Sequence, residues 1–259
     1  MRTLMSAAAA VALAAPLPAL AEPAAEIVTG LEYQEGDYFT GQRVEILSVQ
    51  NTLRVRSGRA TLAASLPWHR LEAPGNVVGG GGLLGLPILT DPSRPATRDV
   101  REGIGDLRLG AGYSLPAPGG VALTLSGQVK LPTASASRGI GTGETDVSVG
   151  AEAARSFGAL TPFVAVGYTM PGEPEAYELR NSLSARGGIA MQLSPSLRGN
   201  VAYGYAQSVS PLVPDEQQIS TGLSANLSRS LTLGLHGNAG LSAGSPDIGA
   251  GISLGFRLF

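Results

Sequence analysis

The chain has no cysteine in its 259 residues, which excludes a disulfide framework, a thiolate metal site and a cysteine nucleophile. Histidine occurs twice, too rarely for a histidine-rich metal centre. Aromatic residues are few, with seven Tyr, five Phe and one Trp. Charged residues make up only 15% and nearly cancel, to a net −2. There is thus no basic footprint for nucleic acid, no acidic tail and no long-range steering field. Beyond the N-terminus no apolar run approaches the roughly 18 residues of a membrane-spanning helix. Glycine is what abounds: 36 residues, about double the usual share. That weighs against a helical core, while the 43% apolar content weighs against disorder.

The N-terminus has the three parts of a secretory signal peptide. Arg2 supplies the positive charge, Ser6–Leu20 is Ala-rich and apolar, and Ala19-Leu20-Ala21 forms a cleavage site before Glu22. Pro16 and Pro18 interrupt the short apolar run, unlike a transmembrane helix. Residues 1–21 are therefore expected to be removed after Ala21, leaving 22–259 as the exported domain.

The mature chain alternates with period two. In Leu107–Leu115 the odd positions are Leu107, Leu109, Ala111, Tyr113 and Leu115, set against Arg108, Gly110, Gly112 and Ser114. Val121–Leu131, Val147–Phe157, Leu183–Leu193, Val201–Val209, Ile219–Leu227 and Leu231–Leu241 repeat the pattern, with Arg155 breaking the apolar set near a turn. A strand sends alternate side chains to opposite faces, so each segment has one oily face and one small, polar face. Short turns at Ser57-Gly58, Pro116–Gly120, Gly158-Ala159, Ser194–Ser196 and Ser228–Ser230 alternate with longer links, the longest at Glu72–Arg101. Twelve strands are predicted, near 26–35, 44–56, 59–71, 102–115, 121–133, 145–157, 160–170, 178–193, 197–209, 217–228, 231–242 and 248–259.

An even count, with short turns on one side and long loops on the other, is the pattern of a bacterial outer-membrane barrel. A soluble β-protein would carry many charges on its polar face, whereas here that face is mostly Ser, Thr, Gly, Asn and Gln. The Leu/Val face is therefore assigned to lipid and the small face to a narrow lumen. Closure removes the strand edges that lipid would not tolerate. The fold class predicted is all-β: an antiparallel up-and-down transmembrane barrel of about twelve strands, with short periplasmic turns and longer extracellular loops. The last strand alternates up to Phe259 and resembles the signal read by the barrel-insertion machinery, although Arg257 stands where an aromatic is usual. That machinery, outer-membrane lipid and a small solute are the partners expected.

Several segments resemble the meta-pathway phenol-degradation family of outer-membrane barrels, whose members are often labelled transporters. They are Ala73-Pro74-Gly75-Asn76-Val77-Val78 with Gly79–Gly82, Gly103–Gly110, Lys130-Leu131-Pro132-Thr133 running through Ser137–Val147, and Gly167-Tyr168-Thr169. The resemblance implies fold and location, and it is the only source of an aromatic or phenolic solute. It brings no functional residues with it.

Carrying the alternation through places Asp106, Arg108, Gln128, Lys130 and Asp146 on the lumen side of three consecutive strands, near their loop ends. Neighbouring strands lie about 4.8 Å apart, so these side chains can meet. They form either a charged constriction for solute or an ion-pair network bracing the barrel, which buried charges require in any case. Glu152, Arg186, Gln192, Arg198 and Asn200 form a deeper polar set. His236 falls inside beside Asn238, and His69 faces inward near a strand end. Trp68 falls outward at the loop-side rim, fitting an aromatic girdle.

The loop 72–101 carries four consecutive glycines and the apolar run Leu83–Leu89. It reads as a gate or plug over the mouth, or as a mobile external loop. Gly80-x-Gly82-x-x-Gly85 matches a dinucleotide fingerprint only formally, because Pro87 stops a following helix and no βαβ unit surrounds it.

The function predicted is passive passage of small solutes through a monomeric outer-membrane barrel, without enzyme activity, cofactor or metal. The other classes are a non-conducting structural or adhesive barrel and an outer-membrane hydrolase. A hydrolase needs a Ser–His pair with a polar orienter, and neither histidine has a serine in a recognisable motif.

Overall fold

The computed structural model describes residues 24–79, 88–116 and 118–259. The expected signal peptide and the Gly80–Gly85 fingerprint lie outside them. Fifteen strands follow in chain order. They are β1 (Ala24–Gly36), β2 (Val44–Ser57), β3 (Ala60–Pro74), β4 (Val77–Gly79), β5 (Ile88–Thr90), β6 (Arg98–Ile104), β7 (Leu107–Pro116), β8 (Val121–Leu131), β9 (Asp146–Arg155) and β10 (Leu160–Met170), then β11 (Ser182–Ser194), β12 (Leu197–Ala206), β13 (Glu216–Asn226), β14 (Leu231–Gly240) and β15 (Ile248–Arg257). Strands β4 and β5 form a separate hairpin. The others pair antiparallel with their neighbours, and β1 pairs with β15 from Glu26↔Arg257 to Glu35↔Ile248, closing the cylinder. Among the described residues no helix is long and apolar enough to cross a membrane.

Both β6 and β7 pair with β3, so they are one strand with a break, and the barrel has twelve strands. The cause of the break is local. Pro67 has no N–H for the ladder and only accepts, from the Gly105 N–H at 2.8 Å. The register moves by one residue between Trp68↔Ile104 and Ser65↔Arg108, a β-bulge. Inward parity therefore changes from Arg101 and Gly103 on β6 to Asp106 in the break and Arg108 on β7. Gly105 is required by close approach, because a Cβ there would lie 2.7 Å from the His69 ring.

The alternation sorts the barrel wall as expected. Outward Leu62 and Val164 are 60% and 54% exposed, while inward Ser65, Lys130 and Gln218 are 3%, 4% and 2% exposed. The strands β7 to β15 are 10 to 13 residues long, enough for a tilted crossing. Most differ from the predicted spans by a few residues at their ends.

The larger difference lies in 72–101. Strand β3 runs on to Pro74, β6 begins at Arg98, and β4–β5 interrupts what was read as one long loop. In this upper part the polarity is reversed. Glu45, Glu72 and Arg98 face out and join in ion pairs at 3.1 and 3.2 Å, whereas Val44, Ile46, Leu71 and Ala73 face in and are buried. The oily-out rule holds only where the wall meets lipid.

Candidate functional site in the lumen and mouth

Strands β7, β8 and β9 are consecutive neighbours, and their register sets Arg108, Lys130 and Asp146 abreast on the lumen face. The bulge brings Asp106 to the same place. Lys130, the chain's sole lysine, points its Nζ between two carboxylates, at 3.0 Å from Asp146 Oδ2 and 3.4 Å from Asp106 Oδ2. It also donates to Thr142 Oγ1 at 3.0 Å. The carboxylates hold the loops in turn: Asp106 accepts the Ala134 N–H at 2.9 Å and Asp146 accepts the Gly172 N–H at 3.1 Å. Gly141 lets the loop settle, since a Cβ there would meet Asp106 Oδ2 at 2.9 Å. Lys130, Asp106, Asp146, Arg108 and Gln128 are all buried. Thr142 and the loop amides belong to this cluster, but loop residues carry no periodicity from which they could be placed.

The deeper set does not converge. Glu152 and Arg186 flank Ala165 from its two neighbouring strands, and the Arg186 guanidinium lies 5.4 Å from the Phe163 ring centre. Gln192 and Arg198 bond to each other at 2.7 Å near the periplasmic turn, and both are exposed. Asn200 is buried on β12. His236 stands 3.8 Å from Glu32, which accepts the Gln34 amide at 2.7 Å. Gly251 lies between them on β15, where a Cβ would come within 2.3 Å of the imidazole.

His69 does have a serine, one that no sequence motif shows. Ser48 Oγ lies 2.8 Å from His69 Nδ1, brought there by the β2–β3 register. Both residues are buried, and the Gly105 backbone closes over the other ring nitrogen. The pair faces the lumen, away from the lipid surface where a lipid-cleaving site would lie. Trp68 faces outward and is half-buried.

The outer mouth is lined by apolar side chains. Tyr38, Val44, Ile46, Leu71, Ala73 and Val77 form one buried cluster. Val78, Leu89 and Val209 form another, with Tyr177 and Leu179 against it. Adjacent residues of β4 thus join opposite clusters, so the hairpin lies across the mouth between β2–β3 and the loop after β12. Tyr38 and Phe39 take positive φ values of 48° and 66°, strained for such side chains. Burial, together with Glu216, Glu32 and Asp247, pushes the Tyr38 hydroxyl well above its ordinary value of 10 and keeps it neutral. Burial likewise pushes Tyr177 up to about 12, with Asp91 adding to the effect. Arg94 bonds to Asp91 Oδ2 at 3.0 Å and to the Ala136 carbonyl at 2.6 Å, tying the hairpin's stem to the loop over the lysine cluster.

Closed pairing, an apolar outer belt and a polar inner face define the class: a porin-like β-barrel of the outer-membrane kind. No family model matches the chain, so membership in the phenol-degradation family is not supported and the coarser class stands. No curated protein matches either. Among solved structures the chain is similar to the NanC porin, at 8% identity over 90% of this chain and 100% of that one, with TM-score 0.56. The KdgM porin gives 8% identity, 90% and 99% coverage, and TM-score 0.56. The translocator domain of the autotransporter NalP from Neisseria meningitidis gives 12%, 98% and 93%, and 0.52. Likeness at these identities establishes the fold.

Proposed function

We propose that the protein is a passive channel of the bacterial outer membrane for small solutes. The observation that carries this reading is the inverted polarity of the wall. Outward positions in the belt are mostly Leu, Val, Ile and Ala, while Ser, Gln, Gly and ion-paired charges predominate inward, as a water-filled path requires. Export by cleavage after Ala21 and insertion through the strand ending near Phe259 belong to the same proposal. So does the bracing role of Lys130, Asp106 and Asp146, supported by their burial and by the loop amides they hold. An aromatic or hydrophobic solute is favoured by the mouth, where Val44, Ile46, Leu71, Ala73 and Val77 already surround the ring of Tyr38.

A second reading, a non-conducting envelope barrel, is favoured by the same two apolar clusters, which together cover the mouth. Swelling of proteoliposomes in small sugars and in aromatic acids separates the two readings. Uptake that is faster for the aromatic acids supports the channel and its solute class. Absence of flux for every solute defeats it. In planar bilayers, deletion of residues 76–96 is expected to raise single-channel conductance, and unchanged conductance would remove the gating role of that segment.

A further inference from the structure

We propose that the outward face of β1–β3 is the contact between two copies of this chain in the membrane, centred on Asn51 and Thr29. Across the middle of the outer belt the outward side chains are apolar or small, and the hydroxyl of Thr221 is satisfied by the Asn200 carbonyl at 3.0 Å. Asn51 breaks the pattern. It is exposed, with Val49 and Leu53 beside it on β2, Leu66 opposite it on β3 and Thr29 opposite it on β1. Thr29 is flanked by Ile27 and Leu31 and stands opposite Leu254 of β15. The Thr29 hydroxyl donates to Asn51 Oδ1 at 3.0 Å. The Asn51 amide N–H groups have no partner among the described residues.

Hydrocarbon contains neither donor nor acceptor, so an amide at this depth needs protein opposite it. Copies of this chain cross the membrane in one orientation and at one depth. A two-fold axis along the membrane normal therefore brings this amide to its own image, N–H to carbonyl, as an isologous contact requires. The same face is self-complementary where it leaves the lipid. Glu35, Glu45 and Glu72 stand on β1, β2 and β3, bridged by Arg43 at 2.5 and 3.1 Å and by Arg98 at 3.2 and 3.1 Å. Arg43, paired with Glu35 and Glu45, and Arg70, 3.9 Å from Glu72, remain 60% and 48% exposed, so both also present their guanidinium groups to a second copy's carboxylates. A two-copy assembly replaces the monomer expected from the sequence, and it does not depend on whether the barrel conducts.

The absence of cysteine makes the test direct. Leu53→Cys carries a single thiol on the same outward face and leaves the Asn51 amide in place, and Ile189→Cys places one on the opposite wall as the control. In dilute proteoliposomes, oxidation is expected to link Leu53→Cys copies several-fold more than Ile189→Cys copies. Native mass spectrometry is expected to give two copies for the parent protein and one for Asn51→Leu, with heat-modifiable migration showing that both barrels are folded. A parent protein of single-copy mass, equal linking at the two positions, or a different protein bound over Asn51 would overturn the proposal.

Discussion

Lys130 shows how much one residue can hold. Its ammonium is buried between Asp106 and Asp146, which in turn hold backbone amides of two loops. Removing one partner of such a cluster leaves like charges facing each other out of water. Lys130→Met should therefore cost about 3–5 kcal/mol of unfolding free energy in urea titrations of the liposome-embedded barrel. Adding Asp106→Asn and Asp146→Asn should recover much of that loss, and a loss that persists unchanged would refute the ion-pair account. The inward parity of these residues was legible from alternation alone. Asp106 continues the parity of β7, whereas Arg101 and Gly103 lie beyond the bulge at Gly105, and no alternation shows a bulge. Tyr38, Thr142 and the Ser48–His69 pair were not legible, since turn conformation or cross-strand register places them, and neither leaves a periodic trace.

At the scale of elements, strands were readable where lipid imposes one polarity and misread where the wall rises into water. The stretch 72–74 and 98–101 looked like loop because its apolar residues face inward and its charges outward. The mouth elements rest on a few polar anchors. Burial pushes the Asp91 carboxyl up, but the Ser93 hydroxyl and amide and the Arg94 guanidinium outweigh it and hold the carboxyl below its ordinary 3.8. A carboxyl depressed on folding stabilises the structure above its unfolded value, and that contribution disappears as pH falls through the folded one. The stem of the hairpin should loosen only in strong acid, below about pH 3.8, and Asp91→Asn should abolish that component. Channel conductance recorded from pH 7 to pH 3 checks this, and identical curves for the two proteins would refute it. Tyr38→Ala removes the ring that fills the first apolar cluster. Its expected effect is a larger conductance at neutral pH with an unchanged β-sheet circular dichroism signal.

For the molecule as a whole, closure by β1 and β15 joins the two ends of the chain into one ladder, and the Leu258 N–H bonds to the Ala25 carbonyl at 2.8 Å. A sheet without edges unfolds only by breaking a complete seam. The purified protein should therefore migrate faster unboiled than boiled in detergent gels, and equal mobility would count against a closed barrel. The architecture was the most legible level because twelve repeats of one pattern average out local exceptions. The solute was the least legible, because selectivity depends on how loops fold into the mouth.

The burial of the only lysine has a consequence for labelling chemistry. Acylating reagents attack unprotonated amines that they can reach, and Nζ of Lys130 is enclosed by two carboxylates and a threonine under a loop. The rate at which this one side chain is acylated in intact vesicles would then report how often the mouth opens, without any dye, tag or introduced probe.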